Sequence, residues 1–384
     1  MPEKTFSKIT SSHWGAFKAH IENGKLVATE PFHLDPNPND FHKLIPNAVY
    51  HNTRVKRPSI RKGWLSNKVT RNRNLRGNDE YIEMPWDEAL EIAASEITRI
   101  KSEYGNESIY GGSYGWSSAG RFHNAQAQLH RFLNTIGGFI SSFASYSTAA
   151  AQVIIPHVLG LNFLHLIFNY QNTWPTIEDH TKNLIMFGGI NPKNSNVSMG
   201  GVTRHITDGW FKKFLEKKIN LVNISPQKND APKGCEWMPI KPGTDTAFML
   251  ALAYILETEN LTDKRFLKNN TVGYEKFKLY LTGQTDNTPK TPEWASKICG
   301  IPSQEIKSLA YKISGSRTLI TVAWSLQRGQ NGEQPFWMAT TLAAMLGHIG
   351  LPGGGIGFGY GAIGGVGVPI RNFGGLTLPK GKNQ

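Results

Sequence analysis

The stretch NLIMFGGINPKNSN, Asn183–Asn196, decides the fold. Its apolar run from Asn183 to Phe187 opens abruptly into glycine, proline and asparagine, as a buried strand does on entering a loop. The pattern recurs downstream. Asn220–Ile224 (NLVNI) stops at Ser225 and Pro226, Trp237–Ile240 leads into KPGTD, and Thr318–Ala323 (TLITVA) forms a further run. Helical spacing lies between them, over Trp210–Lys218, Thr246–Glu257 and Pro302–Ser314. Apolar strands separated by helices predict a parallel sheet with right-handed crossovers. Such sheets bind ligands beyond the carboxyl ends of their strands. The loops after Phe187, Ile224, Ile240 and Ala323 are therefore the candidate binding edge.

Upstream, Gly111–Gly160 reads GGSYGWSSAGRFHNAQAQLHRFLNTIGGFISSFASYSTAAAQVIIPHVLG. A short strand, SIYGGSYG, breaks at WSSAG and gives way to a helix through Phe122, Ala125, Leu129, Phe132 and Leu133, which Gly137 and Gly138 stop. SSFASYS then precedes the small residues Thr148–Ala151. These two passages bring Tyr114, Trp116, Ser118, Tyr146 and Ser147 close to helix N-termini, which offer unpaired N–H groups and partial positive charge to an anion. Trp86–Tyr104 is a helix with Asp87 at its start, Leu90, Ile92, Ala93, Ile97 and Ile100 on one face, and Gly105 as its stop.

At the ends the pattern is weaker. Residues 1–75, rich in Pro, Asn, His and Lys, contain short alternating pieces (Trp14–His20, Lys25–Ala28) and read as a small irregular β-rich lobe. A helix over Pro335–Leu346 is followed by LPGGGIGFGYGAIGGVGVP, a glycine-rich run that is not expected to close a domain by itself. The expected fold class is α/β: that lobe (1–75), an α/β domain over 76–170 completed by 325–384, and a Rossmann-like domain with a parallel sheet over 171–324.

Of the 384 residues, 39% are hydrophobic and 18% charged, which places the chain with folded globular proteins and not with disordered ones. The net charge of +13 invites a nucleic-acid reading, and basic residues crowd between Arg54 and Arg76. No zinc-finger spacing, basic-zipper heptad or RNA-recognition signature accompanies them, so an anionic cofactor or substrate, or a solvated basic loop, is the preferred reading. The two cysteines, Cys235 and Cys299, cannot build a disulfide framework or a four-cysteine metal site and read as packing residues. No apolar run approaches the ~18 residues of a membrane span. The N-terminus lacks an apolar signal core, so the expectation is a cytoplasmic chain, or a periplasmic one whose leader has been removed.

Individual residues carry two readings each. Thr244 and Asp245, in PGTDTA, either cap a helix or present Asp245 to the N–H groups of a purine. Asn194 and Ser195 either make a turn or hold a diphosphate. Arg328 pairs with a phosphate or stands exposed in its loop. Ser147 is a cap, or an oxygen ligand to a hard metal. There is no Walker A sequence, H-E-x-x-H or G-x-S-x-G, and GFGYGAIGG matches the dinucleotide fingerprint only loosely.

Taken together, SSHWGAF, NTRVKRPSIRKGWL, MPWDEAL, GGSYGWSSAGRFHNAQ, SYSTAAAQVIIPHVLG, PGTDTAFMLALAY, TPEWASKICGIP and LGHIGLPGGGIGFGYGAIG, in that order, resemble the molybdopterin oxidoreductases of the dimethyl sulfoxide reductase family. The look is closest to the biotin sulfoxide and trimethylamine N-oxide reductases. The resemblance implies a bis(molybdopterin guanine dinucleotide) molybdenum cofactor and reduction of an S-oxide or N-oxide. Ser147 matches the serine that ligates the metal, and Tyr114 and Trp116 match the aromatic pair beside the reacting oxygen. Ser118, Asn194, Ser195, Ser225, Gly243, Thr244, Asp245, Trp324, Ser325 and Arg328, with Trp116, match cofactor-holding positions. The region around His13 and Trp14 carries no cysteine, so no iron–sulfur cluster is expected and electrons are expected from an external donor. Family members continue beyond the position of Gln384. The expectation is thus the N-terminal half of such a reductase, with the C-terminal part of the fold missing. It would be one subunit of a split enzyme completed by a second polypeptide, or a truncated non-catalytic cofactor-binding fragment.

Overall fold

In the computed structural model the described residues are 5–67, 77–113, 124–142, 145–198 and 201–368. The N-terminal lobe is a three-stranded antiparallel sheet of β1 (Thr5–Ser12), β2 (Gly15–Glu22) and β3 (Lys25–Pro31). Asn23 and Gly24 both take positive φ in the β2–β3 turn, the conformation an Asn-Gly hairpin supplies. β1 escaped the sequence reading because TFSKITSS is mostly polar and almost wholly exposed. After α1 (Ile45–Tyr50), a small ladder pairs β4 (Ser59–Arg61), which leads into α2 (Lys62–Asn67), with β5 (Tyr81–Glu83). Arg61 and Lys62 there meet Asp79 and Glu80, each at 2.8 Å, so part of the basic crowding is internally paired.

Five helices follow: α3 (Trp86–Tyr104), α4 (Ala125–Thr135), α5 (Ala149–Leu159), α6 (Phe163–Asn169) and α7 (Trp174–His180). Pro85 occupies the N-cap of α3 with Asp87 in its first turn, and Gly105 ends the helix at φ 74°.

The remainder builds a five-stranded parallel sheet in the order β10-β9-β6-β7-β8. Its elements run β6 (Asn183–Phe187), α8 (Thr207–Glu216), β7 (Asn220–Ile224), β8 (Glu236–Met238), α9 (Asp245–Thr258), α10 (Lys264–Asn270), α11 (Tyr274–Leu281), α12 (Pro292–Cys299), α13 (Ser303–Ser314), β9 (Thr318–Val322), α14 (Gln334–Met345) and β10 (Gly355–Phe358). Every residue of β6 and β9 is buried, as a sheet covered on both faces requires. Ile185, Phe187, Val222, Ile224, Ile320 and Val322 pack with α5, α6, α9 and α12 to α14. Leu184, Met186, Leu221 and Leu319 face the other way, against Trp174 of α7 and Phe211 and Phe214 of α8. Among the described residues no single helix is long and apolar enough to cross a membrane.

The glycine-rich run was not expected to close a domain by itself; within it Gly355–Phe358, which was not identified as a strand, is the fifth strand of the sheet, parallel to β9 with Gly355 opposite Leu319 and Phe358 opposite Val322. Glycine weakens strand propensity, which hid it. The glycines are there for contact: a Cβ on Gly359 would fall 1.9 Å from Nε1 of Trp324, and one on Gly357 would fall 2.4 Å from the Tyr360 ring.

The lobe is fastened to the sheet domain by a buried pair. Asp35 accepts from the His205 amide at 2.9 Å and lies 2.6 Å from His205 Nδ1, and both side chains are almost fully buried (1% and 5% exposed). Removing the carboxylate would leave two buried donors without an acceptor, at a cost on the order of 3 kcal/mol. Asp35→Ala should therefore lower denaturant stability by about that amount, with faster amide exchange concentrated in β1–β3. Unchanged exchange in the lobe would show that it is held otherwise.

Candidate functional site

Because the strands are parallel, the loops leaving them gather at one edge. The sheet's connections part between β6 and β9: α8 follows β6 onto one face and α14 follows β9 onto the other. A crevice at such a switch point is where open α/β sheets bind ligands. The two loops are in contact, since a Cβ on Gly188 would lie 2.4 Å from Leu326 and 3.4 Å from Ser325 Oγ. Gly189, at φ 75°, is pressed equally closely on the carbonyl of Asp230, so side chains at both positions are excluded by space as well as by conformation.

After β6, a 3₁₀ turn at Pro192–Asn196 places Asn194 at the surface, while Ser195 is buried and donates to the Pro192 carbonyl at 2.6 Å. After β7, Ser225 is buried (1% exposed), its hydroxyl donates to Asp230, and its carbonyl accepts from Trp237 Nε1 at 2.9 Å. Asp230 also accepts from Asn191 Nδ2 at 3.0 Å, so one carboxylate ties together the loops after β6 and β7. Sequence reading passed over Asp230, which carries no local motif.

After β8, Gly243 takes φ 75° and Thr244 sits at the N-cap of α9 without a capping bond, its hydroxyl donating instead to the Lys241 carbonyl at 2.6 Å. Thr244 is thus the N-cap residue by position, without a side-chain capping bond. Asp245 begins the helix and is buried. Burial pushes its carboxyl up to about 6, opposed by its own backbone amide. After β9, a 3₁₀ turn carries Trp324 and Ser325, with Arg328 just beyond, and Ser325 and Arg328 are exposed. The Trp324 indole nitrogen is buried and has no acceptor among the described residues.

Ser147 reaches this edge from a different part of the chain. Gln327, buried at the end of the β9 loop, donates from Nε2 to the Ser147 carbonyl at 3.0 Å and accepts from the Ala151 amide at 2.9 Å. A single side-chain amide thus holds both the Ser147 turn and the first turn of α5. Thr148, not Ser147, is the N-cap residue of that helix. Gln327 was not anticipated from sequence, where it is one glutamine in a loop. Tyr114, Trp116 and Ser118 lie outside the described residues, and Tyr146 is 95% exposed. Both cysteines are free, and burial raises their thiols, Cys235 to about 11, which suits packing residues.

The molybdopterin oxidoreductase family model matches residues 54–373, and the model of the molybdopterin oxidoreductase N-terminal domain matches residues 10–50. A dimethyl sulfoxide/trimethylamine N-oxide reductase of Cereibacter sphaeroides is 41% identical, over 92% of this chain and 43% of that protein. A biotin sulfoxide reductase of the same organism is 41% identical over 90% of this chain and 46% of that protein. A trimethylamine-N-oxide reductase of Haemophilus influenzae is 39% identical over 97% and 46%. This chain therefore spans less than half the length of these curated relatives. Among solved structures, acetylene hydratase from Pelobacter acetylenicus shares the fold, with TM-score 0.57 and 20% identity over 89% of this chain and 44% of that one.

Two outcomes follow from the edge. Asp245 has a folded-state value above its unfolded value of 3.8, so its ionised form is disfavoured by folding. The penalty is absent below pH 3.8, grows between there and about 6, and is complete above, where it amounts to about 3 kcal/mol. Asp245→Asn should raise the melting temperature of the ligand-free chain at pH 7.5 and leave it little changed near pH 4; a fall at pH 7.5 would mean the carboxylate is stabilised in a way its burial does not indicate. Gln327→Leu should cost about 1–3 kcal/mol and accelerate hydrogen exchange at the Ala151 amide; unaltered exchange there would deny Gln327 its tethering role.

Proposed function

The chain belongs to the molybdopterin oxidoreductase family, and we propose that it provides the metal-ligating and guanine-dinucleotide-holding part of a reductase acting on S-oxides or N-oxides. What carries this reading is the convergence of Ser147 with the carboxyl edge of the sheet, through Gln327, in a chain 41% identical to reductases with those names. The net reaction takes an oxide, two electrons and two protons to the sulfide or amine and water. The molybdenum cofactor, when bound, supplies the two-electron couple for that reaction, and the protein orients and tunes it.

The edge suits an anionic dinucleotide on physical grounds. Gly188 and Gly189 leave backbone where a side chain would collide, the Trp324 indole is a buried donor without an acceptor among the described residues, and Asp245 is a buried carboxylate suited to the N–H groups of a guanine. In the proposed assignment Asp245, with Gly243 and Thr244, holds the base. Asn194, Ser195 and Ser225 line the phosphate side, Ser195 and Ser225 chiefly through their main chain because their hydroxyls are engaged. Trp324, Ser325 and Arg328 complete the opposite wall, and Arg328 supplies the charge for a diphosphate. Ser147 would ligate the metal through its side-chain oxygen, Tyr114 would donate to the substrate oxygen, Trp116 would close the pocket, and Trp116 and Ser118 would help to hold the cofactor. The form proposed is the bis(molybdopterin guanine dinucleotide), without an iron–sulfur cluster and with an external electron donor.

A second reading has its own support in length. A chain matching 43–46% of its relatives reads equally as a cofactor-binding part that turns over only when joined to the remainder.

The test is metal and pterin analysis of the chain produced where molybdenum cofactor is made, followed by oxide reduction with a viologen donor. Ser147→Ala should abolish turnover and change the visible spectrum of the bound cofactor while leaving the melting temperature of the empty chain unchanged. Molybdenum content, spectrum and turnover all equal to those of the parent would remove Ser147 from the site. Turnover by the parent chain alone would remove the second reading.

A further inference from the structure

β10 is the outermost strand on its side of the sheet, so its open edge has no neighbouring strand among the described residues. One side chain takes that place. Gln171, just past the end of α6, donates from Nε2 to the Phe358 carbonyl at 3.0 Å and accepts from the Phe358 amide on Oε1. This is the two-bond exchange that a residue of a paired antiparallel strand would supply. Gln171 Nε2 also lies 3.3 Å from the Ile167 carbonyl, which anchors the amide to α6. Asn172 extends the bracket, accepting from the Gly353 amide at 2.8 Å and donating to the Gly354 carbonyl at 3.1 Å, while its own carbonyl accepts from the Tyr360 hydroxyl. The Trp174 amide donates to the Gly367 carbonyl at 2.7 Å. The connection between α6 and α7 thus holds both ends of the run that follows β10.

Between those ends, Gly359–Gly367 lies across the loops of the carboxyl edge. Tyr360, Ile363 and Val366, three apart, are buried in the cluster that contains Trp174 and Ile190. The glycines among them put bare backbone against the loops. Gly359 abuts the Trp324 indole after β9, a Cβ on Gly361 would fall 2.7 Å from Ile190, and one on Gly364 would fall 2.8 Å from the Ser195 carbonyl. The Gly364 amide donates to the Val197 carbonyl at 2.7 Å, which ties the run to the segment just after the Pro192–Asn196 turn.

We propose that Gly359–Gly367 is a strap that holds the loops after β6 and β9 in their ligand-binding arrangement, and that Gln171 is a positioning residue acting through it. What the loops bind rests on the dinucleotide reading given above; the holding itself rests on the contacts. Gln171 makes no hydrogen bond to any described residue assigned to the cofactor, so its influence on them passes through Phe358 and the glycines. A loop that spends less time in its binding arrangement binds proportionally more weakly, which makes the strap measurable from two sides.

The experiment follows amide exchange in the empty chain and uses GDP as the probe of the guanosine diphosphate portion. Gln171→Leu removes both bonds to Phe358. Gly364→Ala acts where the strap meets the loop: its φ lies outside the left-handed region, so the added methyl presses chiefly on the Ser195 carbonyl. Gly209→Ala in α8, where a Cβ meets nothing within 4 Å, is the control. Both strap variants should speed exchange at the Asn194 amide about tenfold, with β6 and β7 unchanged, and weaken GDP about tenfold; the control should do neither. Unaltered exchange at Asn194 in either strap variant, an equal acceleration throughout the sheet, or GDP bound equally by parent and variants would each overturn the proposal. Should Gln171→Leu fail to fold, Gly364→Ala decides alone. A parent that takes up no GDP would count against the dinucleotide reading, and exchange at Asn194 would still decide the strap.

Discussion

A parallel sheet has to be covered on both faces, and most of this structure follows from meeting that demand. With β6 and β9 wholly buried, each strand needs a return path across a face, and the returns are supplied by α8 on one side and by α9 with α12 to α14 on the other. All the strands then point the same way, so every loop with freedom to vary emerges at one edge. The functional edge is a by-product of solving the packing problem.

The two ends of the sheet settle their polar groups differently. At the amino end the Asn183 side chain donates to Ser316, Thr318 and the Lys312 carbonyl and accepts from Asn220, which binds β6, β7 and β9 into one register. Beside it, however, the Arg317 Nη1 is buried without a partner among the described residues. At the carboxyl end the account does not close: the Trp324 nitrogen and the Asn223 side-chain oxygen are buried without partners among the described residues, and Asp245 is buried against its own tendency to ionise. Buried polar groups left unsatisfied are costly, and each calls for an explanation.

Much of this was legible in the sequence. The apolar runs at 183, 220 and 318 gave β6, β7 and β9 with the same boundaries or within a residue, because continuous apolar strands between helices have few other uses. Gly243–Asp245 and Trp324 fell at the carboxyl edge because a strand-to-loop transition is a local signal. The lost features were those decided by contact. β10 was hidden since Gly357 within it and Gly359 just after it answer to Tyr360 and Trp324, across a turn or far away in the chain. Gln327 and Asp230 have no motif at all; their roles exist only once two loops have met. The sequence reads the face of α3 as apolar, but sequence pattern cannot say whether an apolar face has found a neighbour.

The Gln327 tether also sets an order of events in biosynthesis. Ser147 and Gln327 are separated by 180 positions, and the strand that delivers Gln327 must insert beside β6 before its amide can reach the Ser147 turn. During synthesis, therefore, the turn leaves the ribosome long before the group that fixes it, and it stays untethered until β9 has docked. Contacts of such long range form late because loop closure comes before any gain from them. A bulky prosthetic group that needs Ser147 correctly placed would meet a finished cradle only after nearly the whole of this chain had folded, which makes its loading a post-translational step.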